Sequence, residues 1–158
     1  RMLKIMKKGI TREKVIEAFR LAREIGIRTQ AFFLFGLPGE TEDTVRETIE
    51  FAKEIRPGSA QFAVAIPHPG TELFRTTTEK GWIRYDDWED FSSCLGMIET
   101  PEFPLEAAEE ARVRAYKEFY FRPSYIIDTA LSINSWADFK SVIKSAGSIF
   151  SRIGFFSN

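Results

Sequence analysis

Cysteine, histidine, net charge and long apolar runs are what this 158-residue chain has least of, and each shortage closes a class of function. Cys94 and His68 are the only residues of their kinds, so the chain alone can form no internal disulfide and no zinc or iron–sulfur site of the usual four ligands. Its 22 basic and 23 acidic residues leave a net charge of −1, which gives no global field to draw in a nucleic acid. It has no run of about 18 apolar residues and no charged, apolar and small-residue succession of the kind that opens a signal peptide. The expectation is a cytoplasmic protein without a polynucleotide partner. With 44% hydrophobic residues it has the material for a core and for one or two small domains.

What is there is concentrated in residues 31–43, Ala-Phe-Phe-Leu-Phe-Gly-Leu-Pro-Gly-Glu-Thr-Glu-Asp. An apolar strand runs into a Gly/Pro turn and then into a capped helix, and such a junction is where a parallel α/β enzyme holds a ligand. Gly36 and Gly39 let the chain turn tightly and approach a bound group without a Cβ in the way. Upstream, Met2 to Gly9 reads as the middle of an element rather than a natural beginning. Thr11 caps an expected helix over about 12–25, with Val15, Ile16, Phe19, Ala22 and Ile25 as its stripe and Gly26 at its end. Ile27 to Phe35 is nearly continuous in apolar and β-prone residues, the pattern of a strand covered on both faces. Thr41 caps the next helix, Val45, Ile49, Ala52 and Ile55 form its stripe, and Pro57-Gly58 stops it before a second strand from Ser59 to Ile66.

The α-β-α-β order over 12–66 is the repeating unit of a parallel sheet or barrel wall. Beyond it Pro67-His68-Pro69-Gly70 makes a stiff loop, Thr71 caps a short helix and Gly81 ends it. Residues 95–100 suit a short strand, Pro104 the start of a helix to about Phe121, and two further helices are expected at about 124–133 and from Trp136. A parallel sheet of only two strands is physically awkward, because such strands belong to larger sheets covered on both faces and bare edges invite pairing. The chain is therefore expected to be part of something larger, either an oligomer joined across those edges or a protein whose preceding strands lie before Arg1.

Few side chains outside the turn carry chemistry. His68 can act as a general base, an axial ligand or a loop hydrogen-bonder; its flanking prolines place it to face a pocket, but spacing offers it no acid or nucleophile partner. Asp86, Asp87, Glu89 and Asp90 alternate with aromatic residues and lack a calcium-loop glycine pattern, so they read as a solvated face. Cys94 reads as a small buried hydrophobe. Glu40 reads as solvating a helix start. Phe139, Val142, Ile143, Ala146, Ile149, Phe150 and Ile153 form a helical stripe beside Lys140, Lys144 and Arg152, suited to covering a core or a partner chain in preference to lying on a membrane.

The strand-and-turn at 32–41 together with Gln61-Phe-Ala-Val-Ala-Ile-Pro-His-Pro-Gly-Thr-Glu-Leu-Phe74 resembles the last part of the barrel in radical S-adenosylmethionine (SAM) enzymes. The likeness is greatest to the group with an N-terminal cobalamin-binding domain, which includes anaerobic magnesium-protoporphyrin monomethyl ester cyclases. It extends through Tyr85-Asp-Asp-Trp88, Thr100-Pro101 and the 104–123 helix. The resemblance implies an α/β fold, the last two parallel strands of a (βα)6 partial barrel with their helices over 1–81, and a mainly α-helical extension over 82–158. It implies SAM and a 4Fe-4S cluster in the complete enzyme, with cobalamin as a further cofactor of the group. The family's three-cysteine loop is absent here, so no cofactor is expected on this chain alone, which is expected to be inactive without the missing N-terminal barrel and cluster-binding region. The family's adenine contacts fall on Leu34, Phe35 and Gly36 near the end of the first strand and on Ile66 and Pro67 after the second; His68, by its place in the proline-flanked loop and not by the resemblance, is a candidate for the substrate pocket. No residue is assigned as catalytic or metal-binding. In the family's Gly-x-Ile-x-Gly-x-x-Glu pattern, Phe32 stands for the first glycine and Gly39 occupies the acidic position, one residue before Glu40. The alternative is a stand-alone α+β interaction module that dimerises or docks through its open sheet edge and C-terminal helix.

Overall fold

The computed structural model describes residues 2–84, 96–131, 133 and 135–154, and the chain forms two compact units, Arg1–Arg112 and Val113–Asn158. By packing, the first unit runs on past residue 81, where the motif content changes, to Arg112. The expectations for Tyr85, Asp86, Asp87, Trp88, Glu89, Asp90 and Cys94 lie outside the described residues.

In the first unit α1 (Met2–Ile5) and α2 (Arg12–Glu24) precede β1 (Gln30–Phe35), then α3 (Glu42–Ile55), β2 (Ser59–Val64) and α4 (Glu72–Glu79) follow. The three threonine caps form as the sequence indicates: Thr11, Thr41 and Thr71 each accept the backbone N–H three residues on, from Lys14, Thr44 and Phe74. At Thr41 the cap is reciprocal, since the Thr44 hydroxyl accepts the Thr41 N–H at 2.9 Å. α3 stops just before Pro57-Gly58, as expected, and Arg56 closes it in the left-handed conformation at φ 47°. Arg23 of α2 then donates to the freed carbonyl of Ile55 at 3.3 Å.

β1 and β2 pair in parallel, Gln30 with Ser59 through Phe35 with Val64, and form a two-stranded sheet. Ala31, Phe33 and Phe35 share one face with Ala60, Phe62 and Val64, and Phe62 stacks on Phe33 at 5.3 Å and on Phe35 at 6.2 Å. This face and the stripe Val45, Ile49, Ala52 and Ile55 of α3 make the core. The opposite face is open: Phe32 is 67% exposed and Leu34 40%, so β1 is covered on one side only, not on both as its composition indicates. The reason is that none of the described residues of the first unit covers a sheet this narrow on that side. Among the described residues, the expected strand at 95–100 contributes an antiparallel bridge, Ile83 with Ile98.

The first unit ends within α5 (Leu105–Tyr120), whose opening residues Leu105, Ala108 and Ala111 are buried. The second unit holds the end of that helix, α6 (Pro123–Leu131) and α7 (Trp136–Gly154). Its centre is aromatic: Phe119 and Tyr120 meet edge-on at 4.9 Å, Tyr125 packs on both, and the Arg122 guanidinium lies 4.3 Å over the Phe119 ring. Among the described residues no helix is long and apolar enough to cross a membrane.

Candidate functional site

Parallel pairing brings the two loops that leave β1 and β2 to the same end of the sheet, the carboxyl end, where parallel α/β proteins bind ligands. The loop after β1 turns on Gly36 at φ 80° and Gly39 at φ 83°, conformations that a side chain would strain. A side chain on Gly36 would also be tight, since a Cβ there would stand 3.2 Å from both Ala108 Cβ and Val64 Cγ1. The loop after β2 extends the ladder by one bond, Ala65 N–H to the Phe35 carbonyl at 2.8 Å.

Glu40 is the feature that residue types alone did not reveal. It does not solvate the helix start; it is 1% exposed, with its carboxylate folded back beneath the turn. One oxygen accepts the Gly36 N–H at 2.8 Å, and the other accepts the Thr44 hydroxyl at 3.2 Å. Burial pushes its carboxyl above the ordinary glutamate value, opposed by these two bonds and by the Leu37 N–H. The signal was spacing: Gly36, Glu40 and Thr44 recur every four residues across a turn whose first N–H has left the sheet ladder.

The residues assigned by resemblance separate into two sets. Leu34 on the open face and half-buried Ile66 present apolar surface, whereas Phe35, Gly36 and Pro67 are buried. Phe35 in particular is on the covered face, stacked on Phe62, so its side chain supports the strand end from behind. His68 is exposed; its carbonyl accepts the Thr71 N–H at 3.1 Å and the Thr71 hydroxyl at 2.6 Å, which ties the proline-flanked loop to the start of α4. Leu37, Ala65 and Ile98 form a small core behind the two loops, against which Met2, Met6 and Leu73 pack. Gly96 closes on the end of β2 so tightly that a Cβ would lie 2.4 Å from Val64 Cγ1 and 2.6 Å from Leu105 Cδ1. A shallow cavity of about 290 Å³ between Gly81–Arg84 and Glu99–Pro101 shares no residue with these loops. Among the described residues no three His, Cys, Asp or Glu side chains gather to hold a metal ion.

A helix-flanked parallel strand pair with glycine turns at its carboxyl end is an α/β arrangement, and that end is where such folds bind ligands. Residues 1–52 match the family model described as the radical SAM superfamily. The chain is 32% identical over 127 residues, 80% of its length, to an uncharacterized methyltransferase of Pyrococcus horikoshii, covering 28% of that protein. It is 25% identical over 108 residues to the bacteriochlorophyllide d C-8(2)-methyltransferase of Chlorobaculum tepidum, which is 68% of this chain and 24% of that one. It is also 25% identical over 124 residues to the anaerobic magnesium-protoporphyrin IX monomethyl ester cyclase of Rubrivivax gelatinosus, 78% of this chain and 22% of that one. The chain belongs to the radical SAM superfamily, in the group that its resemblance indicates. It spans about a quarter of the length of these relatives.

Proposed function

We propose that this chain is the C-terminal portion of a radical SAM enzyme, supplying the last two strands of its partial barrel and completing the pocket for SAM and substrate. The observation that carries the reading is the apolar surface left open beside the strand pair. Leu21, Ile25 and Ile27 are exposed at the end of α2 and just after it, and Phe32 and Leu34 on the free face of β1. A large apolar surface that water covers in isolation is what a severed packing interface presents. Its position on the elements preceding and forming β1 suits earlier strands and helices of the same barrel.

The residues present fit one wall of a nucleoside site. Leu34 and Ile66 offer apolar surface to a base, Gly36 offers backbone without a side chain, and the buried Phe35 and Pro67 hold those positions from behind. They do not fit a 4Fe-4S cluster, for which one cysteine is too few, so the cluster belongs to the missing region as partner to this piece. Cluster and SAM, when bound, supply the radical that attacks an unreactive carbon. This chain's part is to bind the nucleoside, orient it and keep water from it. Cobalamin use, and a choice between methyl transfer and ring closure, follow the relatives and not any side chain named here.

The test is absorbance of the longer protein, read upstream from Arg1 and reconstituted anaerobically with iron and sulfide. A broad charge-transfer band perturbed by added SAM is the expected result. A colourless longer protein, or a reading frame without a three-cysteine loop, favours the stand-alone interaction module instead.

A further inference from the structure

The apolar stripe of α7 divides in two once the chain is folded. Val142, Ala146, Ile149 and Ile153 are half-buried, as residues suited to covering a core should be. Trp136, Phe139 and Ile143 keep helical spacing with one another on the adjoining arc of the same helix, and they are exposed, Trp136 by 70%. Ile126, Ile127 and Leu131 of α6, in the same unit, are exposed as well. Apolar surface of this extent marks a face that something else covers.

Charge indicates the occupant. Val113–Asn158 carries six basic and three acidic residues, a net +3, whereas Arg1–Arg112 carries 16 basic and 20 acidic, a net −4. The near-neutral chain is thus an acidic unit joined to a basic one, and the basic one holds the exposed helix face. By helical spacing Lys140 and Lys144 border the arc of Trp136, Phe139 and Ile143, and both are exposed. Lys140 Nζ lies 5.9 Å over the Trp136 ring, which stacks on Phe139 at 5.2 Å. α6 carries one carboxylate, Asp128, so the cationic contact falls to α7. Lysine is depleted from protein–protein interfaces. At a bilayer's headgroup boundary, by contrast, lysines beside Trp, Phe and aliphatic side chains are the usual anchors, their long stems carrying the charge out to the phosphates. α7 is not apolar enough to cross a membrane, and lying on one asks only for such a face.

We propose that α7 docks this chain on the surface of an anionic phospholipid bilayer, with Trp136, Phe139 and Ile143 in the headgroup boundary and Lys140 and Lys144 on the lipid phosphates. The sequence pattern favours a core or a partner chain for the whole stripe; the exposure of its aromatic arc reassigns that arc to lipid. This inference does not rest on the SAM reading, because the face lies in the second unit and the nucleoside wall in the first.

Vesicle flotation tests it, with phosphatidylcholine alone and with phosphatidylcholine mixed with phosphatidylglycerol. The chain is expected to float with the mixed vesicles and to bind the neutral ones at least tenfold more weakly. K140Q/K144Q is expected to weaken binding to the mixed vesicles about thirtyfold, about fivefold for each lysine. I143D is expected to weaken it about tenfold or more, and F32S, on the open face of β1, to leave it unchanged, with the helix content of all variants equal by circular dichroism. Absence of binding to the mixed vesicles overturns the proposal, as does equal binding to both kinds. Loss in F32S but not in I143D also overturns it, since the flank of β1 is then the adhesive surface. A stable dimer in sedimentation that I143D dissociates gives the face to a second copy instead. A longer protein, read upstream from Arg1, that stays unbound while this chain floats gives it to the missing region.

Discussion

A buried carboxylate that accepts from the Gly36 backbone N–H and the Thr44 hydroxyl makes stability depend on pH. Because burial raises the Glu40 carboxyl above its ordinary value, the folded chain holds that proton more tightly than the unfolded one. Its contribution to stability is therefore fully present below the ordinary glutamate range and is lost as pH rises through the folded value. Exposed Glu17 and Glu72, lowered by their bonds to Arg20 and Lys7, act in the opposite sense and lie at the surface, where salt screens them. Urea denaturation across this range at raised salt is expected to show the wild type losing stability toward neutrality and E40Q losing less; parallel profiles would mean that Glu40 does not titrate in the folded chain. Sequence alone did not reveal this residue, because its type and its place beside a helix cap both indicate solvent. Only the strand's end at Phe35, which leaves the Gly36 N–H without a ladder partner, gives the carboxylate something to hold.

At the level of elements, local chemistry was legible and long-range cover was not. Threonine caps and left-handed glycines follow from a few neighbouring residues, so α2, α3, α4 and the Gly36 turn form where the pattern places them. Pro57 likewise stops α3 where the pattern places it, with Arg56 as the left-handed cap. The misread face of β1 has a long-range cause. Phe32 and Leu34 are apolar because the strand suits cover on both sides, and this chain supplies cover on one. Gly96 shows how closely a distant segment meets β2, an approach that no local pattern announces. Gly96→Ala is expected to cost about 1–3 kcal/mol, as Val64 and Leu105 must yield to the new methyl group. A denaturation midpoint equal to that of the wild type would show that the contact is loose.

For the molecule as a whole, the proposed reading divides the parts that bind from the parts that catalyse. The chain brings a strand-end loop, a latch beneath it and an apolar flank, while the donors for a cluster are missing from its sequence. Its match to about a quarter of the length of its relatives fits that division. Fold and family were legible because both loop motifs lie within the first half of the chain. The substrate was not, because among the described residues the side chains near the loops, exposed His68 included, do not single one out. Photochemical cross-linking of SAM to the reconstituted longer protein, followed by peptide mapping, tests the central claim most directly. The account expects label on the peptides carrying Leu34–Gly36 and Ile66–Pro67; a protein that binds SAM yet carries its label on neither peptide would contradict it.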